Sequence, residues 1–98
     1  MKHRVVLSSS AVSDINALFD YVLAEAGERI ARDYVGKMKD FLQRLDVFPN
    51  RGTVIDSGTN TRRVGFERRA TVIFRVEDHQ VTILRVYHRG RNIELDEI

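Results

Sequence analysis

Two stretches of the sequence, separated by Gly27, carry apolar residues at the three- and four-residue spacing of an α-helix. The first stripe consists of Val12, Ile15, Leu18, Phe19, Val22 and Leu23. The second consists of Ile30, Tyr34, Met38, Phe41, Leu45 and Phe48. Gly27 suits the left-handed conformation that ends a helix, and Pro49 ends the second helix because it lacks a backbone N–H. Two such stripes joined by so short a connection predict an antiparallel helical hairpin.

β-Branched residues dominate four other runs of the sequence. One run, RVVL, precedes the helices, and RRVGF, ATVIFRV and VTILRVY follow them at residues 62–66, 70–76 and 81–87. These runs predict strands, and EDHQ between the last two predicts a tight hairpin turn. The polar, glycine-containing stretch 50–61 is predicted to be a loop.

The order of these elements predicts a single α+β domain over residues 1–98. In it, an antiparallel helical hairpin packs on one face of a small, mostly antiparallel sheet, in the order β-α-α-β-β-β. Ser8 or Ser10 is expected to cap the first helix with its hydroxyl. In the first strand of the closing hairpin, alternation places Val72, Phe74 and Val76 on one face. In the second strand it places Leu84 and Val86 on one face, and on the other Ile83, Arg85 and Tyr87.

Several kinds of chemical site are excluded or disfavoured by residue content. The chain has no cysteine, so disulfides and thiolate metal sites are excluded. Its three histidines, His3, His79 and His88, lie on separate predicted elements, which disfavours a metal site, and no glycine-rich phosphate loop is present. The N-terminal apolar run is too short for a signal peptide, and no apolar stretch is long enough to span a membrane. We therefore expect a cytoplasmic protein without cofactor or metal.

The basic residues are concentrated in the second half of the chain. The whole sequence has a net charge of only +2, but residues 62–91 contain eight arginines and three acids. The planar guanidinium fork suits bidentate binding of phosphate or carboxylate. Arg85 lies in the middle of a predicted strand, so it is either neutralised by a helix carboxylate or exposed on the sheet. For each of these arginines, the alternative to a binding role is that it belongs to a solvated sheet edge whose charge prevents aggregation.

Cleavage of RNA needs one group that takes the 2′-hydroxyl proton and another that protonates the leaving oxygen. A lone His88 supplies at most one of these. We therefore assign no catalytic residue, and interpret five residues as contacts to a partner: Arg63, Arg75, Arg85, His88 and Arg91.

The chain resembles the RelE/ParE toxin superfamily, and within it the ParE branch, over residues 4–92. LSSSAVSDINALFDYV is similar to the first helix of the family, and FLQRLDVFPNRG to the end of its second helix. The closing RRVGFERRATVIFRVEDHQVTILRVYHRGRN is similar to the last strands of the family, although Asn92 replaces the final aspartate.

The resemblance implies the toxin of a type II toxin–antitoxin module, which arrests growth, often stabilises plasmids, and pairs with a ParD-like antitoxin. ParE-like toxins inhibit DNA gyrase without chemistry of their own, and RelE-like relatives cut messenger RNA on the ribosome. Of the basic residues and tyrosine used by RelE-like toxins, only Arg91 has a counterpart here. We therefore expect a gyrase inhibitor that is not an enzyme, with a RelE-like ribonuclease as the alternative. No membrane contact and no sequence-specific DNA binding by the toxin alone are expected, and the five partner-binding residues would meet the target or the antitoxin.

Overall fold

The computed structural model describes residues 2–88. Two helices pack on a mixed five-stranded sheet of order β1-β5-β4-β3-β2, in which β1 runs parallel to β5 and the other neighbours are antiparallel. This confirms the predicted fold class. The elements are β1 (Arg4–Leu7), α1 (Ser9–Ala26), α2 (Glu28–Gln43), a 3-10 turn (Arg44–Asp46), β2 (Thr53–Asp56), β3 (Thr61–Phe66), β4 (Ala70–Val76) and β5 (Gln80–His88).

Both ends of α1 follow the predicted chemistry. The hydroxyl of Ser8, rather than Ser10, accepts a hydrogen bond from the Ala11 backbone N–H at 3.0 Å. At the other end, Gly27 has φ 93° and donates its N–H to the Leu23 carbonyl at 3.0 Å. A side chain at that φ would be strained, so the glycine ends α1 and lets α2 begin one residue later.

The buried faces of the helices lie one position away from parts of the predicted stripes. Ala11 and Ala31 are fully buried, whereas the larger Val12 and Ile30 beside them are 45% and 47% exposed. The small alanines thus occupy the buried positions, and the larger side chains next to them remain nearly half exposed. The prediction was also wrong for Phe48, which is 58% exposed because α2 gives way to the 3-10 turn before reaching it.

The stretch 50–61, predicted as a loop, contains the strand β2. Among the described residues this strand pairs only with β3, and its pairing is irregular between Val54 and Asp56. The order is therefore β-α-α-β-β-β-β, with one strand more than predicted. A four-residue edge strand that is mostly exposed lacks the apolar alternation by which strands are found in a sequence.

Gly52, immediately before β2, allows the backbone to pass close to β3. Its φ is 75°, and a Cβ there would lie 2.0 Å from the Arg63 carbonyl oxygen. Gly52→Ala is expected to lower the free energy of unfolding by about 2 kcal/mol and to weaken the pairing of β2 with β3. The added Cβ would collide with the Arg63 carbonyl, and alanine is strained at a positive φ. Urea denaturation and amide exchange of residues 53–56 measure both effects.

Gly36 on α2 provides the matched control. A Cβ added there has open space around it, so Gly36→Ala should raise the free energy of unfolding by about 0.5–1 kcal/mol. Equal effects of the two substitutions would show that the approach of β2 to β3 does not depend on glycine.

A β-bulge in β5 changes the predicted faces of that strand. Phe74 pairs with Ile83 and Ile73 with Arg85, so Leu84 has no partner across β4. The extra residue brings Ile83 and Val86 onto the helix-facing side, where both join the core. The predicted grouping of Leu84 with Val86, and of Ile83 with Arg85 and Tyr87, was therefore wrong.

Candidate functional site

Three of the predicted partner-binding residues lie on the sheet face opposite the helices, here called the arginine face and consisting of Arg63, Arg75 and Arg85. Arg63 and Arg85 both pair with Ile73 of β4, one from each side. Arg75 lies two residues beyond Ile73, and residues two apart in a strand share a face. The sheet register therefore places these three arginines on one surface.

Arg85 is neutralised by a carboxylate of helix α1. Its Nε donates to Asp14 Oδ2 at 2.8 Å and its terminal nitrogen to Oδ1 at 3.1 Å, a bidentate pair. Asp14 Oδ2 also accepts the Val86 backbone N–H at 2.9 Å. The side chains of Arg85 and Asp14 are only 17% and 8% exposed. Of the two alternatives for a mid-strand arginine, neutralisation from the helices is the one realised.

The position of Asp14 follows from the end of β1. β1 pairs with β5 only as far as Leu7 and Ile83, after which the Ser8 hydroxyl donates to the Leu84 carbonyl at 2.9 Å. Beyond that point no further strand within residues 2–88 lies along this edge of β5 to accept from the Val86 N–H. The first turns of α1 cross this edge. The Asp14 carboxylate therefore accepts the Val86 N–H that a neighbouring strand would otherwise accept, next to the bulge at Leu84.

The other two arginines of this face are placed differently. Arg63 is exposed. Arg75 is half-buried, and its Nε has no hydrogen-bond partner within residues 2–88. Neither forms a salt bridge with a carboxylate in the described part of the chain. Their charges are thus available to a partner, whereas that of Arg85 is already compensated.

His88 does not belong to the arginine face. It pairs with Ala70, on the helix-facing side, and its ring stacks on Tyr21 of α1 with centroids 4.9 Å apart. The predicted partner-binding residues are therefore divided between two faces of the sheet. Arg91, the fifth of them, lies outside the described residues.

A cleft of about 270 Å³ opens beside His88, between the two helices and the end of the sheet; it is called the tyrosine cleft below. Its lining residues are Leu18, Tyr21, Val22, Tyr34, Arg69 and His88. The hydroxyl of Tyr34 is buried and has no hydrogen-bond partner within residues 2–88. Burial raises the pKa of Tyr34, the Glu67 carboxylate raises it further, and the Arg69 guanidinium opposes them. The hydroxyl therefore keeps its proton at neutral pH and can donate.

Asp14 and Tyr34 were missed as site residues from the sequence. Asp14 is separated from Arg85 by 71 positions, and nothing in the local pattern links them. Tyr34 was assigned to the apolar stripe of α2, which it does join. A polar tip on an otherwise apolar stripe was the one signal that could have singled it out.

Residues 2–88 contain no group of three or more His, Asp or Glu residues arranged to hold a metal ion. Over the same range no helix is long and apolar enough to cross a membrane.

Comparison with solved structures finds the same fold in toxin–antitoxin complexes. A chain of the chromosomal ParDE system from P. aeruginosa superposes with a TM-score of 0.76 at 20% identity, covering 89% of this chain and 96% of that one. A chain of the RelBE2 complex from Mycobacterium tuberculosis gives 0.62 at 21% identity, with 93% and 95% covered. The archaeal RelE–RelB complex from Pyrococcus horikoshii OT3 gives 0.55 at 18%, with 94% and 100% covered. Identities this low show the fold alone.

No curated protein matches the sequence. A family model does match, over residues 5–93: the ParE toxin of type II toxin–antitoxin system, parDE. The matched range includes both helices and the four strands that follow them. The chain therefore belongs to the ParE family of toxins from type II toxin–antitoxin systems.

Proposed function

We propose that this toxin inhibits DNA gyrase by binding and is neutralised by a ParD-like antitoxin. The observation that carries the proposal is the ParE family match over residues 5–93. The arginine face supports it, since Arg63 and Arg75 carry charges that no described carboxylate compensates. The proposed target places the protein in the cytoplasm.

The mechanism requires binding energy and no chemical step by the toxin. Gyrase alternates between intact and cleaved DNA, and a protein that binds the cleaved-DNA state more tightly shifts the population toward it. Guanidinium groups suit such contacts because they bind carboxylates of the enzyme or phosphates of its DNA in a fixed geometry. Arg85 contributes by holding β5 in place through Asp14, and not as a free charge.

Purified protein is expected to abolish supercoiling by gyrase. The double variant Arg63→Ala, Arg75→Ala should need about tenfold more protein for half inhibition, which is the loss of roughly 1.4 kcal/mol of binding energy. Arg29→Ala, which removes an exposed charge on α2, is the matched control and should inhibit like the parent. Equal potency of the double variant would remove the arginine face from the contact surface, and undisturbed supercoiling by the parent would contradict the proposed target.

The antitoxin is proposed to be an amphipathic segment that folds as it docks on the helices. Four large apolar side chains of the helical hairpin are between 40% and 50% exposed: Val12, Tyr21, Leu23 and Ile30. The P. aeruginosa and M. tuberculosis structures of similar fold are both toxin–antitoxin systems. Co-expression with the product of a short reading frame beside this gene should restore growth and yield a co-purifying complex. Continued arrest with that product present would reject it as the antitoxin.

A second candidate function, ribosome-dependent cleavage of messenger RNA, is favoured by the tyrosine cleft. It brings together an imidazole, a phenol and a guanidinium, from His88, Tyr34 and Arg69. An imidazole can take a proton, and a phenol that stays protonated at neutral pH can give one, although its raised pKa makes it a weaker acid. Cleavage of transcripts at A-site codons, lost in His88→Ala or in Arg91→Ala, would establish this function. Intact transcripts in growth-arrested cells would exclude it.

A further inference from the structure

The hydroxyl of Tyr34 is an unsatisfied polar group at the wall of a cleft. Tyr34 is 9% exposed, and its ring packs on Phe66 with centroids 5.6 Å apart. The hydroxyl has no hydrogen-bond partner within residues 2–88. Buried hydroxyls are usually paired, because the loss of water costs free energy that a hydrogen bond must return. An unpaired hydroxyl at a cleft is a hydrogen-bond donor that a ligand in the cleft can use.

Two opposite charges in the turn between β3 and β4 act on this hydroxyl: the Glu67 carboxylate has the larger effect, but Arg69 is the one that lines the cleft. The Arg69 N–H donates to the Phe66 carbonyl at 3.0 Å, and its side chain lines the cleft. Arg69 forms no salt bridge with a carboxylate of the described residues. A guanidinium and a phenolic donor side by side form the pattern that receives a carboxylate. Glu67 in the same turn reduces the net charge at the cleft and disfavours a polyanion.

The rest of the cleft is apolar or aromatic. Leu18 and Val22 line it on α1, and the stacked rings of Tyr21 and His88 form another part of its wall. Leu18 is buried, and Val22 is partly buried against the core. Such a surface accepts an apolar side chain next to the charged one. RNA-binding sites combine stacking with several cations along a backbone, so the single arginine of this cleft favours one carboxylate over the RNA of the second candidate function, and the titration below includes a dinucleotide to decide between them.

We propose that the tyrosine cleft binds one acidic side chain of a partner peptide, with an adjacent apolar side chain resting on Leu18 and Val22. The proposal rests on the proposed function in one respect, namely that the partner is the antitoxin segment. The carboxylate pairs with Arg69 and accepts the Tyr34 hydroxyl. Because that hydroxyl is shielded from solvent in the unbound protein, a side chain of the cleft wall has to rotate as the peptide enters. Side-chain rotations of this kind take picoseconds to nanoseconds.

The test is a titration of the full-length, isotope-labelled protein followed by NMR. The probes are a capped leucyl-glutamyl-leucyl-leucine peptide, its glutamine analogue, inorganic phosphate and the dinucleotide uridylyl-adenosine. The glutamate peptide is expected to shift the ring signals of Tyr34 and the side-chain N–H of Arg69, and to bind at least tenfold more tightly than the glutamine peptide. Arg69→Gln should weaken the glutamate peptide by about 10- to 100-fold, the range for hydrogen bonds to charged groups.

Tyr34→Phe separates a binding role from a structural one. It removes only the unpaired hydroxyl, so the unfolding midpoint in urea should stay the same or rise, while the glutamate peptide binds about tenfold more weakly. Arg29→Gln, a charge change on the exposed side of α2, is the control and should leave binding unaltered. A marked fall in stability of Tyr34→Phe would mean that the hydroxyl has an internal partner, which would overturn the proposal.

Three further results would also overturn it. These are equal binding of the glutamate and glutamine peptides, tighter binding of phosphate or the dinucleotide than of the glutamate peptide, and no shift with any probe at millimolar concentration.

A Tyr34 signal that moves when residues 90–98 are deleted, without added peptide, would assign the cleft to the chain's own acidic end instead. The supercoiling assay on the same preparation keeps the two proposals apart. If the parent inhibits gyrase while the peptide fails to bind, only the cleft proposal fails.

Discussion

Asp14→Ala is expected to lower the free energy of unfolding by about 3–5 kcal/mol, the range for breaking a buried ion pair by removing one partner. The substitution leaves the Arg85 guanidinium without the acceptor of its two bonds and the Val86 N–H without its own. Both groups lie at the edge of β5 where β1 has ended. Since small domains are stable by about 5–15 kcal/mol, the variant should be close to unfolding at growth temperature. Urea denaturation followed by circular dichroism measures the loss.

Asp20→Ala provides the matched control, because Asp20 is an exposed acid on the same helix. Its effect should stay within about 0.5 kcal/mol. In a double-mutant cycle, Asp14 and Arg85 should couple by about 1–3 kcal/mol, as expected for residues that share hydrogen bonds. A small loss for Asp14→Ala, similar to that for Asp20→Ala, would mean that the ion pair does not hold the end of β5.

Phe74→Ala is expected to cost about 3–5 kcal/mol, the range for truncating a fully buried phenylalanine. Phe74 lies in β4 at the centre of the sheet, is 0% exposed, and pairs with Ile83 at the bulge. Truncation leaves a cavity between the sheet and the helices. The neighbouring strands cannot move in to fill this cavity without breaking their pairing, so most of the lost packing is not recovered. The loss would appear in the urea midpoint with little change in the denaturant slope.

Phe48→Ala is the control for that truncation, since it removes the same atoms from a 58% exposed position. The Arg51 guanidinium carbon lies 5.6 Å from the centroid of the Phe48 ring. Such a cation–π contact is worth about 0.5–1 kcal/mol at an exposed site, and Phe48→Ala should not lower the free energy of unfolding by more than that. The sequence placed Phe48 in the apolar stripe of α2, so the pair of variants also tests the corrected helix face. Similar losses for both would place Phe48 in the core.

The architecture was predictable because its elements follow periodic patterns. RVVL matches β1 residue for residue, ATVIFRV matches β4, and Gly27 divides the helices as expected. The predictions were wrong where the apolar pattern gives a weak signal. Alanine contributes little to that pattern, so it predicts Val12 and Ile30 as buried instead of Ala11 and Ala31.

Strand details were less predictable than strand positions. The edge strand β2 is too short and polar to stand out from its loop. The bulge at Leu84 reverses an alternation that the sequence alone reads as unbroken. Such a bulge depends on what lies beside the strand, which here is the Asp14 carboxylate bonded to Val86.

The candidate sites were only partly predictable, because they are made of residues that meet in space. The arginine content pointed to the arginine face, and the sheet register explains why Arg63, Arg75 and Arg85 share it. Nothing in the sequence indicated that Asp14 neutralises Arg85, or that Tyr34, Arg69 and His88 line one cleft. Residues as far apart in the chain as Asp14 and Arg85 leave no periodic trace of their contact.

The most direct test of the central claim is the amount of DNA covalently attached to gyrase in cells that express the toxin without antitoxin. If the toxin acts by binding, without chemistry of its own, covalent gyrase–DNA complexes should accumulate as growth stops, while transcripts in the same culture remain intact. Growth arrest with cleaved A-site codons and no rise in these complexes would contradict the account.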